Sequence, residues 1–162
     1  MLFQTQAGLT FPREIQANQY GIRFPIVIDA MTIRFEIISE RRIDLGEPDT
    51  PPKLPVACLN FTDRIAEKLL ANSDRWPDAS VLSRDLIDLA MLRFQGEFPT
   101  VAIAKAEAAY PVIEPLKRAI VAFQQQPEYR DRCYILLQVK NSAQVSSGLK
   151  QLEADFELRE TQ

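Results

Sequence analysis

The hydrophobic periodicity of this chain changes once along its length, and that change limits the fold more than any other feature. Residues 20–40, YGIRFPIVIDAMTIRFEIISE, alternate apolar and polar side chains on both sides of Asp29-Ala30. A period of two is typical of β strands, so this stretch predicts a hairpin that turns at Asp29-Ala30. From Asn60 onward, apolar residues recur every three or four positions, as in amphipathic helices. A sheet region followed by helices predicts an α+β fold: a small antiparallel sheet or hairpin, then a helical C-terminal bundle.

Residues that start or interrupt helices divide the second region into several helices. Asn60 is predicted to cap the first helix and Ser83 the second, because a short polar side chain can accept a hydrogen bond from the free backbone amides there. Pro111 is predicted to end the third helix, because proline has no amide donor to continue it. Residues 127–139, PEYRDRCYILLQV, fit either a helix or a strand, and we favour a helix. The last helix is predicted over residues 143–157.

A proline-rich stretch marks the predicted boundary between the two regions. Residues 47–55, EPDTPPKLP, combine four prolines with polar residues, a composition typical of a loop between separately folded parts. We therefore predict a β region over residues 1–59 and a helical region over residues 60–162.

Composition excludes several classes of chemistry. The chain has no histidine, which removes Ser–His and Cys–His nucleophile systems, histidine-ligated zinc and imidazole acid–base catalysis. The net charge of -3 argues against a protein that binds nucleic acid without regard to sequence. Cys58 and Cys133 lie far apart and outside any metal-binding spacing, which favours two buried thiols in a reducing compartment. With no apolar run long enough to span a membrane and no signal-peptide pattern, the sequence predicts a cytoplasmic protein.

Three ionisable residues stand at positions where a core would favour apolar ones. Lys68 is seven residues after Phe61, so it lies within about 20° of that core residue around the helix. Asp85 and Asp88 are three apart and project from one side of the next helix. A lysine and two carboxylates in one cleft can orient a triphosphate and its metal, as nucleotidyl transfer requires. The alternatives are that Lys68 extends to water along its methylenes and that both aspartates form a solvated face.

Glu36 is the fourth candidate. In IRFEII it points away from the face of Phe35 and Ile37. A carboxylate on a strand is a common magnesium ligand, and it is also an ordinary residue for the wet side of a hairpin.

These candidates lie in blocks whose residues and spacing resemble one protein family. The blocks are IRFEIISERRIDL, AEKLLANSDRW, SVLSRDLIDLAML and the later AEAAY. They resemble the AbiEii/AbiGii family, nucleotidyltransferase-like toxins of bacterial type IV toxin–antitoxin and phage-abortive systems. The likeness runs from about Gly21 to near the C-terminus.

The resemblance implies a fold, cofactors, partners and residue roles. It implies a nucleotidyltransferase fold like that of DNA polymerase β, a nucleoside triphosphate with Mg²⁺, an antitoxin partner, and nucleotide transfer to RNA such as tRNA ends. Carried over to this chain, Lys68 matches the lysine that would bind the triphosphate. Asp85 and Asp88 match the catalytic RDxxD carboxylates. Glu36 matches the strand acid that follows the metal pair.

The sequence departs from the family in one motif. The family's Gly-Gly or Gly-Ser turn, followed by Asp-x-Asp, does not occur in the 162 residues. We therefore expect a partial nucleotidyltransferase-like fold in a truncated or split toxin that is inactive alone. An alternative is a non-catalytic binding or scaffold protein that packs against an antitoxin or a partner polypeptide; another is a chain that keeps family residues without a present function. A sheet cut in this way is expected to self-associate through its unpaired edge.

Overall fold

The computed structural model describes residues 9–11 and 14–156, in which a sheet is followed by helices. The strands of its antiparallel sheet are β1 Leu9–Thr10, β2 Gln16–Asn18, β3 Gly21–Ile28 and β4 Met31–Ile38. Strand β3 is central: it pairs with β4 along its whole length, and with β1 and β2 at different parts of its other edge. The predicted antiparallel sheet is confirmed.

The predicted hairpin is the β3–β4 pair. Its turn residues Asp29 and Ala30 both have positive φ, 47° and 65°, as a tight two-residue hairpin turn requires. Ile28 and Met31 flank this turn as partners, so hydrogen-bonded and non-hydrogen-bonded pairs alternate from them along the ladder. By this alternation the backbone nitrogen of Pro25 faces away from β4. There it lies between the segments of β3 that pair with β2 and with β1, where no donor is needed.

Six α-helices follow the sheet. They are α1 Phe61–Arg75, α2 Arg84–Gln95, α3 Thr100–Ala109, α4 Ile113–Gln125, α5 Pro127–Leu136 and α6 Ser142–Asp155, with a short 3₁₀ turn at Ala79–Val81 between α1 and α2. The α+β class is therefore confirmed. The segment that fitted either helix or strand is helical in α5. Residue 157, at the predicted end of the last helix, lies outside the described residues.

Two sequence expectations fail locally. Ser83 occupies the N-cap position of α2, but it is left-handed, with φ 49°, and makes no capping bond. Its hydroxyl instead forms a hydrogen bond of 3.2 Å with the hydroxyl of Tyr129, a residue distant in sequence. Cys133 is buried as predicted, whereas Cys58 is partly exposed because it lies in a loop, in an isolated bridge to Asp49.

The chain forms two compact units, residues 1–42 and 43–162. The loop before α1 belongs to the helical unit because its residues contact α1. Ile43 is buried, and the Gly46 amide donates to the Asp63 carboxylate at 2.7 Å. Asn60 caps α1 as predicted and also donates to the Glu47 carbonyl at 2.9 Å. The prediction of separate domains over residues 1–59 and 60–162 stays a prediction.

The core of the helical unit is formed mainly by aliphatic side chains of α1, α2, α4 and α6. Helices α2 and α6 are in close contact at Gly148, which lies against the backbone of Ala90. The largest fully buried apolar side chains are Phe123, Ile65, Leu69, Leu70, Leu86, Leu89, Leu116, Ile120, Leu152, Val112 and Val145. This core holds α1 beside α2 and so positions the polar residues on their facing sides.

Candidate functional site

Helices α1 and α2 bring Lys68, Asp85 and Asp88 together. Asp85 lies in the first turn of α2, with Asp88 one turn later on the same side. The Lys68 ammonium lies 3.2 Å from Asp85 Oδ1 and 2.5 Å from Asp88 Oδ2. The lysine thus bridges both carboxylates. The structure does not test the roles predicted for the three residues in binding or catalysis.

The two aspartates differ in their surroundings. The Asp85 side chain is 3% exposed, whereas that of Asp88 is 50% exposed. Arg75 explains how a buried carboxylate is tolerated, because its guanidinium donates to Asp85 Oδ2 at 2.6 Å and to Oδ1 at 2.9 Å. Asp85 therefore has both oxygens bound by cations. Asp88 keeps an exposed carboxylate.

Sequence reasoning missed Arg75, although a signal for it existed. Arg75 follows Lys68 by seven residues, so both lie within about 20° of each other around α1. A lysine and an arginine on one side of a helix favour a buried acid on its neighbour.

A shallow groove of about 260 Å³ lies beside Lys68. Helices α1 and α2 both line it, through Arg64, Lys68, Asp88, Met91, Leu92 and Gln95. Arg64 is exposed, and its guanidinium lies 5.8 Å from the centre of the Phe61 ring. Among the residues that line the groove, Arg64 and Lys68 carry two positive charges against one negative charge on Asp88. The groove lining therefore favours an anion.

Glu36 lies on β4, in the other compact unit. Its Oε1 forms ion pairs with Arg34 at 2.8 Å and with Arg23 at 3.4 Å, on the polar face of the sheet. A metal ion would compete with these two arginines for the carboxylate. Among the residues that the structure describes, no group of three or more Asp, Glu, Cys or His side chains could hold a metal ion. The metal-binding role of Glu36 stays a prediction.

A larger concavity, about 550 Å³, lies on the sheet unit. Its lining includes Arg23 and Arg34, the two arginines that neutralise Glu36, together with Glu14 and Gln16.

A second buried carboxylate, Asp63, connects α1 to α3 and to the preceding loop. Its Oδ1 accepts from the Lys105 ammonium at 2.5 Å, and the same ammonium donates to the Asp44 carbonyl at 2.8 Å. Its Oδ2 accepts from the Gly46 amide and from the Asn60 side chain. All of these partners belong to the protein, so this cluster stabilises the fold around the groove and offers no free ligand atom.

The two buried aspartates predict a dependence of stability on pH. Burial raises the pKa of Asp63 and of Asp85, but the bonds from Lys105 and from Arg75 and Lys68 outweigh it, and each pKa lies below the ordinary value of 3.8. The stability that each contributes is therefore complete above about pH 4 and is lost as the pH falls through the folded-state pKa. Urea unfolding of wild type and Asp85→Asn, followed from pH 6 to pH 3, should show the two free energies of unfolding converging below about pH 4.

Asn substitution at the exposed Asp131 provides the matched control. Its unfolding free energy should follow that of wild type at every pH. A constant difference between wild type and Asp85→Asn over the same range would contradict the assignment to Asp85.

A family model matches the stretch of the chain that contains the groove. The model of the nucleotidyl transferase AbiEii toxin of type IV toxin–antitoxin systems matches residues 4–136, more than half of the chain. The chain belongs to the AbiEii family. The match includes the sheet, α1 and α2, so the Lys68 groove lies inside the family region. The comparisons with curated proteins and with solved structures give no match.

Beyond the family match, α6 completes the bundle. Residues 142–155 follow the matched region, yet α6 packs directly against α2, which carries both aspartates. In the part of the chain that the structure describes, each helix is too short or too polar to cross a membrane.

Proposed function

We propose that the Lys68 groove binds the phosphates of a nucleoside triphosphate and forms part of an active site for nucleotide transfer to RNA such as tRNA ends. The observation that carries the proposal is the Lys68 ammonium, held between two carboxylates beside a groove with excess positive charge. Membership of a nucleotidyl transferase family supports the same chemistry. A cation fixed before the ligand arrives loses little side-chain entropy when phosphate binds.

The geometry suggests a different role for each of the three residues. Lys68 and Arg64, which both line the groove, would bind phosphate oxygens. Asp85 is a positioning residue, because its oxygens are already occupied by Lys68 and Arg75. Asp88 would then be the catalytic carboxylate, since its exposed oxygens can accept a proton or a hydrogen bond from an incoming hydroxyl.

The described residues do not fit a complete magnesium site. A metal pair of the kind that nucleotidyl transfer uses needs several carboxylates, whereas the groove provides only Asp88, which is already paired with Lys68. The 162 residues contain no Asp-x-Asp. We therefore assign no reaction step to a metal in this chain, and propose that a metal pair would come from a polypeptide segment outside it, as in a truncated or split toxin. On this proposal the chain is inactive alone and acts in the cytoplasm.

A non-catalytic function is the second proposal, supported by the exposed apolar face of the sheet. Met31 is 66% exposed and Ile37 is 52% exposed, and both lie on the same face of β4. Exposed apolar surface of this kind commonly marks a protein–protein contact. In this case the chain would act as a scaffold that packs against an antitoxin or a partner polypeptide, and the Lys68 cluster would serve stability alone.

Nucleotide binding distinguishes the two proposals. Isothermal titration calorimetry of the chain with ATP, CTP, GTP and UTP, with and without Mg²⁺, should show binding in the millimolar range for at least one nucleotide. Lys68→Met removes the central charge while keeping the methylene chain, and should weaken that binding at least about tenfold, or ~1.4 kcal/mol. Lys150→Met alters an exposed lysine of α6 outside the groove, and should leave the affinity unchanged.

Two outcomes would contradict the nucleotide proposal. One is the absence of heat and of NMR line broadening for all four nucleotides at millimolar concentration. The other is an equal loss of affinity in Lys68→Met and Lys150→Met, which would indicate binding to general surface charge. The DNA upstream of the start codon tests the split-gene proposal separately, through the presence of an encoded Gly-Gly or Gly-Ser turn with Asp-x-Asp.

A further inference from the structure

Strand β4 lies at one edge of the sheet. In the described part of the chain, β4 pairs only with β3, so its other side faces no strand. The alternation set by the two-residue turn directs the backbone groups of Thr32, Arg34, Glu36 and Ile38 toward that free edge. An edge with eight residues of regular, unbulged strand is a template for another strand.

We propose that this edge binds β4 of a second copy of the chain in an antiparallel pair centred on Phe35. The inference is independent of the nucleotide proposal and rests on the self-complementarity of the strand. In this register Arg34 lies opposite Glu36 of the second copy, and Glu36 lies opposite Arg34 of the second copy. Ile33 lies opposite Ile37 of the second copy, and the two Phe35 side chains face each other. Directly opposed residues share a face of the sheet, so in these pairs charges meet opposite charges and apolar groups meet apolar groups, while the outer pair of Thr32 and Ile38 is mixed.

Charge selects this register over its neighbours. A slip of one residue would bring the polar face of one strand onto the apolar face of the other. A slip of two residues keeps the faces matched, but it places Arg34 opposite its own copy in one direction and Glu36 opposite its own copy in the other. Like charges directly opposite each other are unfavourable, so only the register centred on Phe35 pairs opposite charges.

The existing contacts within one chain continue into this arrangement. Arg23 is the β3 partner of Glu36 and already forms an ion pair with it. Addition of the second copy would place Glu36 between Arg23 on one side and Arg34 of the second copy on the other. On the opposite face, the Phe24 and Phe35 rings lie 5.1 Å apart, and Phe35 is 43% exposed. The second Phe35 would extend this aromatic row and cover part of the exposed ring.

Site-specific cross-linking tests the register. Phe35 is the only β4 position that faces its own copy, as a non-hydrogen-bonded pair with Cα atoms about 4.5 Å apart. In a Cys58→Ser background, Phe35→Cys should form a disulfide-linked dimer when oxidised dithiothreitol is the oxidant. Ile33→Cys is the matched control: its own copy is four residues along the partner strand, about 13 Å away, so this variant should stay monomeric on a non-reducing gel.

Sedimentation velocity tests the charge argument on the full chain. Wild type should show a monomer–dimer equilibrium. With Arg34→Glu, a carboxylate at position 34 of each copy would lie opposite Glu36 of the other copy. These two like-charged pairs should weaken association at least about tenfold. The combined variant Arg23→Glu/Arg34→Glu/Glu36→Arg restores every opposite pair and should restore association. A wild-type chain that stays monomeric, a dimer that Arg34→Glu leaves unchanged, or equal cross-linking at positions 33 and 35 would each overturn the proposal.

Discussion

Gly148→Ala is expected to destabilise the helical unit by about 3 kcal/mol or more, although alanine is intrinsically the better helix former. A Cβ atom at Gly148 would overlap the carbonyl oxygen of Ala90 and lie 2.6 Å from its carbonyl carbon. The obstacle is backbone in the middle of α2, which cannot rotate aside as a flexible side chain can. Helices α2 and α6 would have to separate, and the apolar side chains between them would lose contacts. In thermal unfolding, the loss corresponds to a decrease in Tm of about 6–12 °C.

Gly96→Ala is the matched control for this prediction. Gly96 follows α2, has an extended backbone with φ 175°, and has no atom within 4 Å of the position a Cβ would take. Its substitution should change the unfolding free energy by less than about 0.5 kcal/mol. Because the clash at Gly148 involves backbone, adding Ala90→Gly to Gly148→Ala should restore no stability. A rescue by that second substitution, or a Gly148→Ala variant as stable as wild type, would contradict the close packing.

Asp85→Ala is expected to lower the unfolding free energy by about 2–3 kcal/mol, whereas Asp88→Ala should lower it by less than about 1 kcal/mol. The loss at Asp85 arises because Lys68 and Arg75 would both remain without their buried anion. Their side chains are 32% and 35% exposed, so water can solvate them partly, which places the loss below that of a fully buried pair. Asp88 is half-exposed and shares only Lys68, so its ion pair contributes little.

Urea unfolding at neutral pH measures both values. The conservative variants Asp85→Asn and Asp88→Asn serve as controls for side-chain size, and Asp85→Asn should be intermediate because its amide oxygen can still accept from Arg75. An equal loss of unfolding free energy in the two alanine variants would show that both carboxylates contribute equally to stability. That result would contradict the proposal that Asp85 positions Lys68 while Asp88 is the exposed carboxylate. Since Asp88→Ala is expected to fold normally, a change in its nucleotide affinity would not reflect unfolding.

The distinction between the two aspartates was beyond sequence reasoning. Their spacing of three residues predicted one shared side of a helix, and the structure has them there. Which of them is buried depends on where Arg75 lies, and Arg75 belongs to another helix. Likewise, nothing in the local pattern of α2 indicates that Gly148 would approach Ala90.

The hairpin and the cap of α1 could be predicted from local sequence, whereas the behaviour of the cap residue of α2 could not. Alternation around Asp29-Ala30 was enough to predict the β3–β4 pair, because a two-residue turn determines register locally. Asn60 caps α1 through an amide three residues away, a contact within one turn. Ser83 has a suitable side chain at the N-cap of α2 but makes no capping bond. Its hydroxyl instead hydrogen-bonds Tyr129, which is distant in sequence.

The sequence was therefore enough to predict the order of sheet and helices, the hairpin, the common side of Asp85 and Asp88, and the family of the chain. Packing in three dimensions was needed to show that Lys68 bridges both carboxylates, that Arg75 neutralises the buried one, and that β4 pairs only with β3 among the described residues. The physical reason is the range of the interactions involved. Spacing within one helix or hairpin follows from backbone geometry over a few residues, whereas burial and ion pairing between helices depend on the packing of segments far apart in the chain.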